Sequence, residues 1–160
     1  GPVDHLMAMP ILAEYVREKY GHRKLAVVSP DAGRIKVAER WSAKLGGVPL
    51  AFIHKTRRTD RPNETVANRV VGDVSGRMCG LVEGAAGVII AATHSILSGP
   101  AVERLKNSPA TEVIVTDPLQ VPDEMRFSKL TCLSIAPLIS RAIREVFEDG
   151  SVTSMFDGHA

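Results

Sequence analysis

Residues 78–92 read MCGLVEGAAGVIIAA, and their folding decides the architecture of the chain. Two apolar runs, Met78 to Val82 and Val88 to Thr93, are divided by the five residues Glu83 to Gly87. Neither run alternates apolar with polar, so each suits a strand covered on both faces, as in a parallel sheet. Adjacent parallel strands need a crossover of about a dozen residues or more, usually a helix, and this linker is too short for one. Either the two strands form an antiparallel hairpin, or a loop and helix are missing between Val82 and Glu83. The second is the expectation.

Working outward, the same alternation of buried strands and helices continues. Pro10 suits the first turn of a helix whose apolar stripe is Ile11, Leu12, Tyr15 and Val16, ending near Tyr20-Gly21. Leu25 to Val28 is a strand, Ser29 to Gly33 a turn cluster, and Ala38, Trp41 and Leu45 mark a second helix. Pro49 to Ile53 is a strand, followed by a polar, basic segment from Lys55 to Glu64 without apolar period. Further strands are predicted at Asn68 to Val71, Glu112 to Thr116 and Leu130 to Ile135, with helices at Pro100 to Asn107 and Pro137 to Glu148. The fold class predicted is α/β, a mainly parallel sheet with helices on both faces.

The 160 residues suit one domain, and 44% hydrophobic with 24% charged residues is ordinary for a globular protein. A formal charge of +2 builds no field that would announce nucleic acid or an anionic membrane, so any anion site must be local. Cys79 and Cys132 are isolated within apolar runs, the pattern of buried structural thiols in a reducing compartment. No apolar run approaches the ~20 residues of a membrane span, and no secretory leader opens the chain. A cytoplasmic protein is expected. Gly1-Pro2-Val3-Asp4 runs directly into a helical pattern, as a protease scar or the edge of a larger chain would.

Ligands of open parallel sheets bind beyond the carboxyl ends of the strands, which directs attention to three loops. In Ser29-Pro-Asp-Ala-Gly-Arg34, Asp31 stands at a strand end beside a Gly and ahead of a helix, placed either to hold a metal-bound phosphate or to cap the turn. His54 to Arg61 carries Lys55, Arg57, Arg58 and Arg61, a basic loop that could close on a phosphate ester or lie solvated; Lys55 and Arg57 share a direction if extended. His54 reads as a strand-end packing residue. Thr93 to Pro100 offers hydroxyls at a helix start, for an anion or for capping. The acidic loop from Asp117 to Glu124 and the tail from Asp157 read as solvated surface.

In order, PVDHLMAMPIL, VVSPDAGR, LAFIHKTR, VVGDV, IIAATHSILSGPA and VFEDGSVTSMFDG resemble the ribose-phosphate pyrophosphokinases, also called phosphoribosyl pyrophosphate synthases. The resemblance covers nearly the whole chain and corresponds to the C-terminal half of that family's subunit, a phosphoribosyltransferase-like fold. SPDAGR, in place of the more widespread SPD followed by a Gly pair, points to actinobacterial members. The family transfers the diphosphoryl group of ATP to the anomeric hydroxyl of ribose 5-phosphate, with Mg2+, as homo-oligomers that are commonly hexamers. Resemblance implies that Lys55 and Arg57 belong to the catalytic loop, with Arg57 also touching substrate. It places Asp31 in the magnesium and substrate site, and Asp4 and Ser98 near a regulatory site. The family's N-terminal domain, with most ATP-binding residues, has no counterpart here. Its acidic, glycine-containing loop for ribose 5-phosphate belongs between Val82 and Gly84.

Three readings result. The chain is part of a diphosphoryl transferase, or a noncatalytic phosphate- or nucleotide-binding or assembly module, or a transferase consuming phosphoribosyl pyrophosphate. HKTR beside SPD favours the first over the third, and the absent acidic loop also weighs against the third.

Overall fold

Proline in the first turn of a helix gives up an N–H that has no partner there, and both longer helices use it. Pro10 opens α1 (Met9–Tyr20) and Pro137 opens α4 (Ala136–Phe147). The computed structural model describes residues 6–57, 65–79 and 86–156, of which 55–57, 65–68, 79 and 156 by their backbone alone. Between the two helices run β1 (Val27–Ser29), α2 (Ile35–Lys44), β2 (Leu50–Arg57), β3 (Thr65–Val71) and β4 (Met78–Cys79). Then come β5 (Gly87–Ala92), α3 (Ala101–Asn107), β6 (Glu112–Thr116) and β7 (Leu130–Leu133).

β1 pairs with β2 in parallel, and β4, β5, β6 and β7 are parallel in that order. A parallel bridge, Leu25 to Met78, joins the two sets. Its hydrogen bonds run from the Ala26 N–H to the Met78 carbonyl at 3.1 Å and from the Met78 N–H to the Lys24 carbonyl at 2.8 Å. The strand order is thus β3-β2-β1-β4-β5-β6-β7, with β3 alone antiparallel.

Side chains of successive strand residues face opposite ways, and the core divides accordingly. Ile89 and Ile114 pack with Leu12, Val16, Trp41 and Leu45 of α1 and α2 on one face. Val88, Val113 and Val115 pack with Leu105 of α3 and with Val121 and Met125 on the other. The expected α/β class, mainly parallel and covered on both faces, is what the chain adopts. β6 is buried at every position, which is why EVIVT shows no alternation.

One alternative is excluded and three expectations change. β4 and β5 are parallel, with Met78 level with Gly87, which rules out a hairpin; only residues 80–86 connect them. Position 82–83 itself lies outside the described residues. β2 does not stop at Ile53 but continues to Arg57, because β3 begins at Thr65 and supplies an antiparallel partner for the polar residues. Hydrogen bonds to a neighbouring strand, rather than burial, make these residues extended, so apolar period could not reveal them. His54 is consequently mid-strand and exposed, and packs no strand end. Cys132 is half-buried and free rather than fully enclosed.

Gly72 makes the turn out of β3 possible. At φ +118° a Cβ would stand 2.7 Å from the Ala51 Cβ and 2.8 Å from the Leu50 carbonyl oxygen, so only glycine lets the chain pass against β2.

At the amino edge of the sheet a buried carboxylate ties α1 to β6 and β7. Glu112 is 4% exposed. It accepts hydrogen bonds from the hydroxyls of Tyr20 (2.5 Å), Tyr15 (2.8 Å) and Thr131, and from the Lys19 ammonium (2.9 Å). Burial opposes its charge, but the bonds from Thr131, Tyr20, Lys19 and Tyr15 outweigh burial and hold its pKa below the usual carboxylate range.

Candidate functional site

The strand order reverses between β1 and β4: the chain leaves β1 toward β2 on one side and leaves β4 toward β5 on the other. At such a switch point the loops beyond the carboxyl ends part and leave a crevice. The turn after β1 forms one wall. Ser29, 1% exposed, donates its hydroxyl to the Asp31 carbonyl at 2.6 Å, and the Arg34 N–H reaches the same oxygen at 3.4 Å. These bonds fix the turn and leave the Asp31 side chain aside.

Asp31 occupies the position ahead of a short 3-10 turn, Ala32–Arg34, yet makes no capping bond with its side chain. The capping alternative thus fails. Among the described residues the half-buried carboxylate has no hydrogen-bond partner. A Cβ at Gly33 would stand 3.2 Å from Asp31 Oδ1, so glycine there leaves the carboxylate its space. A cavity of about 380 Å³ opens beside the turn, bounded by Ser29, Pro30 and Arg34 and otherwise lined by apolar residues that include Leu25, Trp41, Met78 and Ile89; Asp31 is not among its lining residues.

Lys55 and Arg57 stand on the same edge. Phe52 is level with Ser29, and β2 runs five residues further with β3 as its companion. At ~3.3 Å per residue this two-stranded ribbon projects roughly 16 Å past β1, and Lys55 stands roughly 10 Å up it. The pairing shifts between His54 and Lys55, where Asn68 is left as the extra residue. Such bulges bend a strand and re-aim the residues beyond the bend. No periodicity in the sequence signalled it.

Ser98 lies in the loop after β5 and is exposed; its carbonyl accepts the Ala101 N–H at 3.3 Å. The inward hydroxyl of that loop belongs to Ser95, 8% exposed and without a hydrogen-bond partner among the described residues. Leu97 at φ 45° and Gly99 at φ 55° turn the loop back toward α3. Asp4 lies outside the described residues. Among the described residues no three His, Cys, Asp or Glu groups converge on one point. A single free carboxylate suits Mg2+, which keeps waters and completes its shell with substrate phosphates.

Comparison with known proteins agrees with these features. A family model for the phosphoribosyl synthetase-associated domain matches residues 82–157. Ribose-phosphate pyrophosphokinase of Bifidobacterium longum is 56% identical over 98% of this chain and 52% of its own length. That of Mycobacterium tuberculosis is 51% identical over 100% of this chain and 55% of its own. The chain is homologous to one half of a ribose-phosphate pyrophosphokinase. Phosphoribosylpyrophosphate synthetase from Mycobacterium smegmatis has the same fold, with a TM-score of 0.81 and 48% identity, over 94% of this chain and 54% of that one. The chain thus spans about half the length of the relatives it matches, consistent with the C-terminal half named by its motifs. Its 160 residues are spread over 179 aligned positions of the M. tuberculosis protein, so 19 positions there have no counterpart here.

No helix among the described residues is long and apolar enough to cross a membrane.

Proposed function

We propose that this chain is part of a cytoplasmic ribose-phosphate diphosphokinase, which transfers the diphosphoryl group of ATP to the anomeric hydroxyl of ribose 5-phosphate. The products are phosphoribosyl pyrophosphate and AMP. The observation that carries the reading is the free Asp31 carboxylate at the switch point, with Lys55 and Arg57 on the adjacent ribbon, in a chain 56% identical to such an enzyme from B. longum.

Diphosphoryl transfer needs little covalent help from protein. It needs positioning and neutralisation of charge on non-bridging oxygens. Lys55 and Arg57 supply two cations on a ribbon whose bulge sets its angle over the crevice. Arg57 also holds substrate. Asp31 holds Mg2+, which when bound offsets phosphate charge and orients the oxygens. The acidic loop for ribose 5-phosphate belongs at the carboxyl end of β4, across the crevice from Asp31. The complete subunit supplies it together with the ATP-binding residues, and assembles as a homo-oligomer, a hexamer. Asp4 and Ser98 serve the regulatory site of that assembly.

The decisive assay supplies the full-length subunit with ATP, Mg2+ and ribose 5-phosphate and measures AMP and phosphoribosyl pyrophosphate by 31P NMR. Stoichiometric formation of both supports the reading. Release of ADP, or no product from a folded subunit, refutes it.

One observation favours a second reading for the 160 residues taken literally. In the sequence as it stands only seven residues, 80–86, separate the parallel pair β4 and β5, too few for the loop and helix that the enzyme reading requires. A chain so shortened has no ribose 5-phosphate loop and would act as a noncatalytic binding or assembly module. Intact mass separates the two: a mass of 17.2 kDa favours the module, and a protein heavier by some 19 residues within this region favours the enzyme.

A further inference from the structure

The cavity beside the β1 turn lies between α2 and the sheet, and none of Asp31, Lys55 and Arg57 lines it. Its roof is the inner face of α2, where Ala38 and Trp41 point the same way and Leu45 follows one turn on, at the i, i+3, i+7 spacing of a single helix face. Its floor is the sheet. Leu25 and Met78, level with one another across the bridge that joins the two sets of strands, are 7% and 4% exposed, and Ile89 of β5 stands beside them. Roof and floor each carry an alanine, Ala38 and Ala91, where a larger side chain would fill the space. At about 380 Å³ the cavity falls within the ~300–1,000 Å³ of small-molecule sites, and well above the ~150 Å³ that suffices for benzene.

We propose that this cavity binds a small aromatic anion, an apolar body of two fused rings carrying one carboxylate. Size admits two rings, and Trp41 gives them an aromatic surface to stack on. The floor selects against sugars and nucleobases, because Leu25, Met78 and Ile89 offer their polar groups no side-chain partner and burying these unpaired is costly. The mouth supplies the charge. Arg34 is the one charged residue among those lining the cavity; it is exposed, and among the described residues its guanidinium has no hydrogen-bond or ion-pair partner. The Ser29 hydroxyl beside it is already committed to the Asp31 carbonyl. A guanidinium above an apolar floor matches a ligand with one planar anionic end, since its two parallel N–H groups fit a carboxylate.

The test reads binding without turnover, so it is unaffected if the diphosphokinase reading fails. The full-length subunit is labelled with 13C in its methionine methyl groups, Met78 is assigned through Met78→Leu, and 1-naphthylacetate is titrated in. The expected result is a saturable shift of the Met78 methyl resonance with a Kd of about 1 mM or tighter, the affinity that ~14 heavy atoms give at ordinary ligand efficiency. The neutral 1-naphthylacetamide should bind about 3- to 5-fold more weakly, and Arg34→Gln should erase that preference. Ala91→Phe, at an exposed position on the floor, should abolish the shift in a folded protein. An unmoved Met78 methyl, movement confined to Met7 or Met155 beside α4, or a shift that survives Ala91→Phe would each overturn the site. Equal affinity for acid and amide in the unaltered protein would overturn the assignment of an anion.

Discussion

Replacing Glu112 with Ala should be among the most damaging single changes outside the candidate site, and its cost can be worked from the hydrogen bonds. Four donors lose their acceptor. Tyr20 is 8% exposed, so its hydroxyl is left without water or partner, a penalty of ~1–3 kcal/mol. Thr131, half-buried, adds a smaller share, while the Lys19 side chain is 47% exposed and its ion pair is worth about 1 kcal/mol or less. With the lost packing of the carboxylate the total is about 3–5 kcal/mol, a large part of the ~5–15 kcal/mol that holds a domain folded. Urea unfolding at pH 7, monitored by the single tryptophan Trp41 and by circular dichroism, reads this directly. With a slope near ~2 kcal/mol/M the midpoint should fall by about 1.5–2.5 M, against about 0.5 M or less for Lys19→Met. Equal shifts for the two variants would mean that the surface ion pair, and not the buried hydroxyl contacts, carries the stability. A Glu112→Ala midpoint unchanged from wild type would remove the network altogether. The same site sets a pH window. Glu112's folded pKa is depressed, so its contribution is complete above its unfolded value near ~4.3 and is lost as pH falls through the folded one. Burial and then the bond to Glu112 push Tyr20 up to about 12, so its contribution is complete below ~10 and is lost as pH rises through about 12. Glu112→Ala should flatten the acid limb of the stability–pH curve and lessen the alkaline one, which the burial of Tyr20 maintains in part.

Three further outcomes are expected. In the full-length enzyme Lys55→Ala should lower kcat by ~10² to 10³ with the unfolding midpoint unchanged, and near-normal turnover would take Lys55 out of the mechanism. Gly33→Ala sets a methyl 3.2 Å from Asp31 Oδ1 and should raise the Mg2+ concentration needed for half-maximal rate several-fold; an unaltered Mg2+ titration would free Asp31 of that role. Gly72→Ala combines a positive φ with contacts under 3 Å to Ala51, so a loss of at least ~2 kcal/mol in urea unfolding is expected, and a neutral result would show that β2 and β3 can part there.

How much could be seen beforehand depended on what kind of interaction made each element. Strands buried on both faces carry their own record, so β5 and β6 stood out as unbroken apolar runs, and the prolines and glycines bounded the helices. Asp31 was visible as a carboxylate at a strand end, because strand, turn and helix are local features. The ribbon beyond Ile53 was not, since its polar residues are extended only through their pairing with β3. Glu112 had a faint signal, a lone carboxylate opening a fully buried strand, but its four donors come from α1 and β7, 19 to 97 residues away along the chain.

The sequence by itself determined the class of the fold, the order of its elements and the edge on which chemistry would sit, because burial and turn chemistry act over a few residues. Only the tertiary structure decided that β4 and β5 run parallel, that the sheet reverses between β1 and β4, and that the Asp31 side chain makes no capping bond. It alone brought Leu6 and Val152 together beside an exposed apolar stripe of α4. Strand direction and the meeting of distant side chains depend on hydrogen bonds between segments far apart in sequence, and no local pattern encodes these.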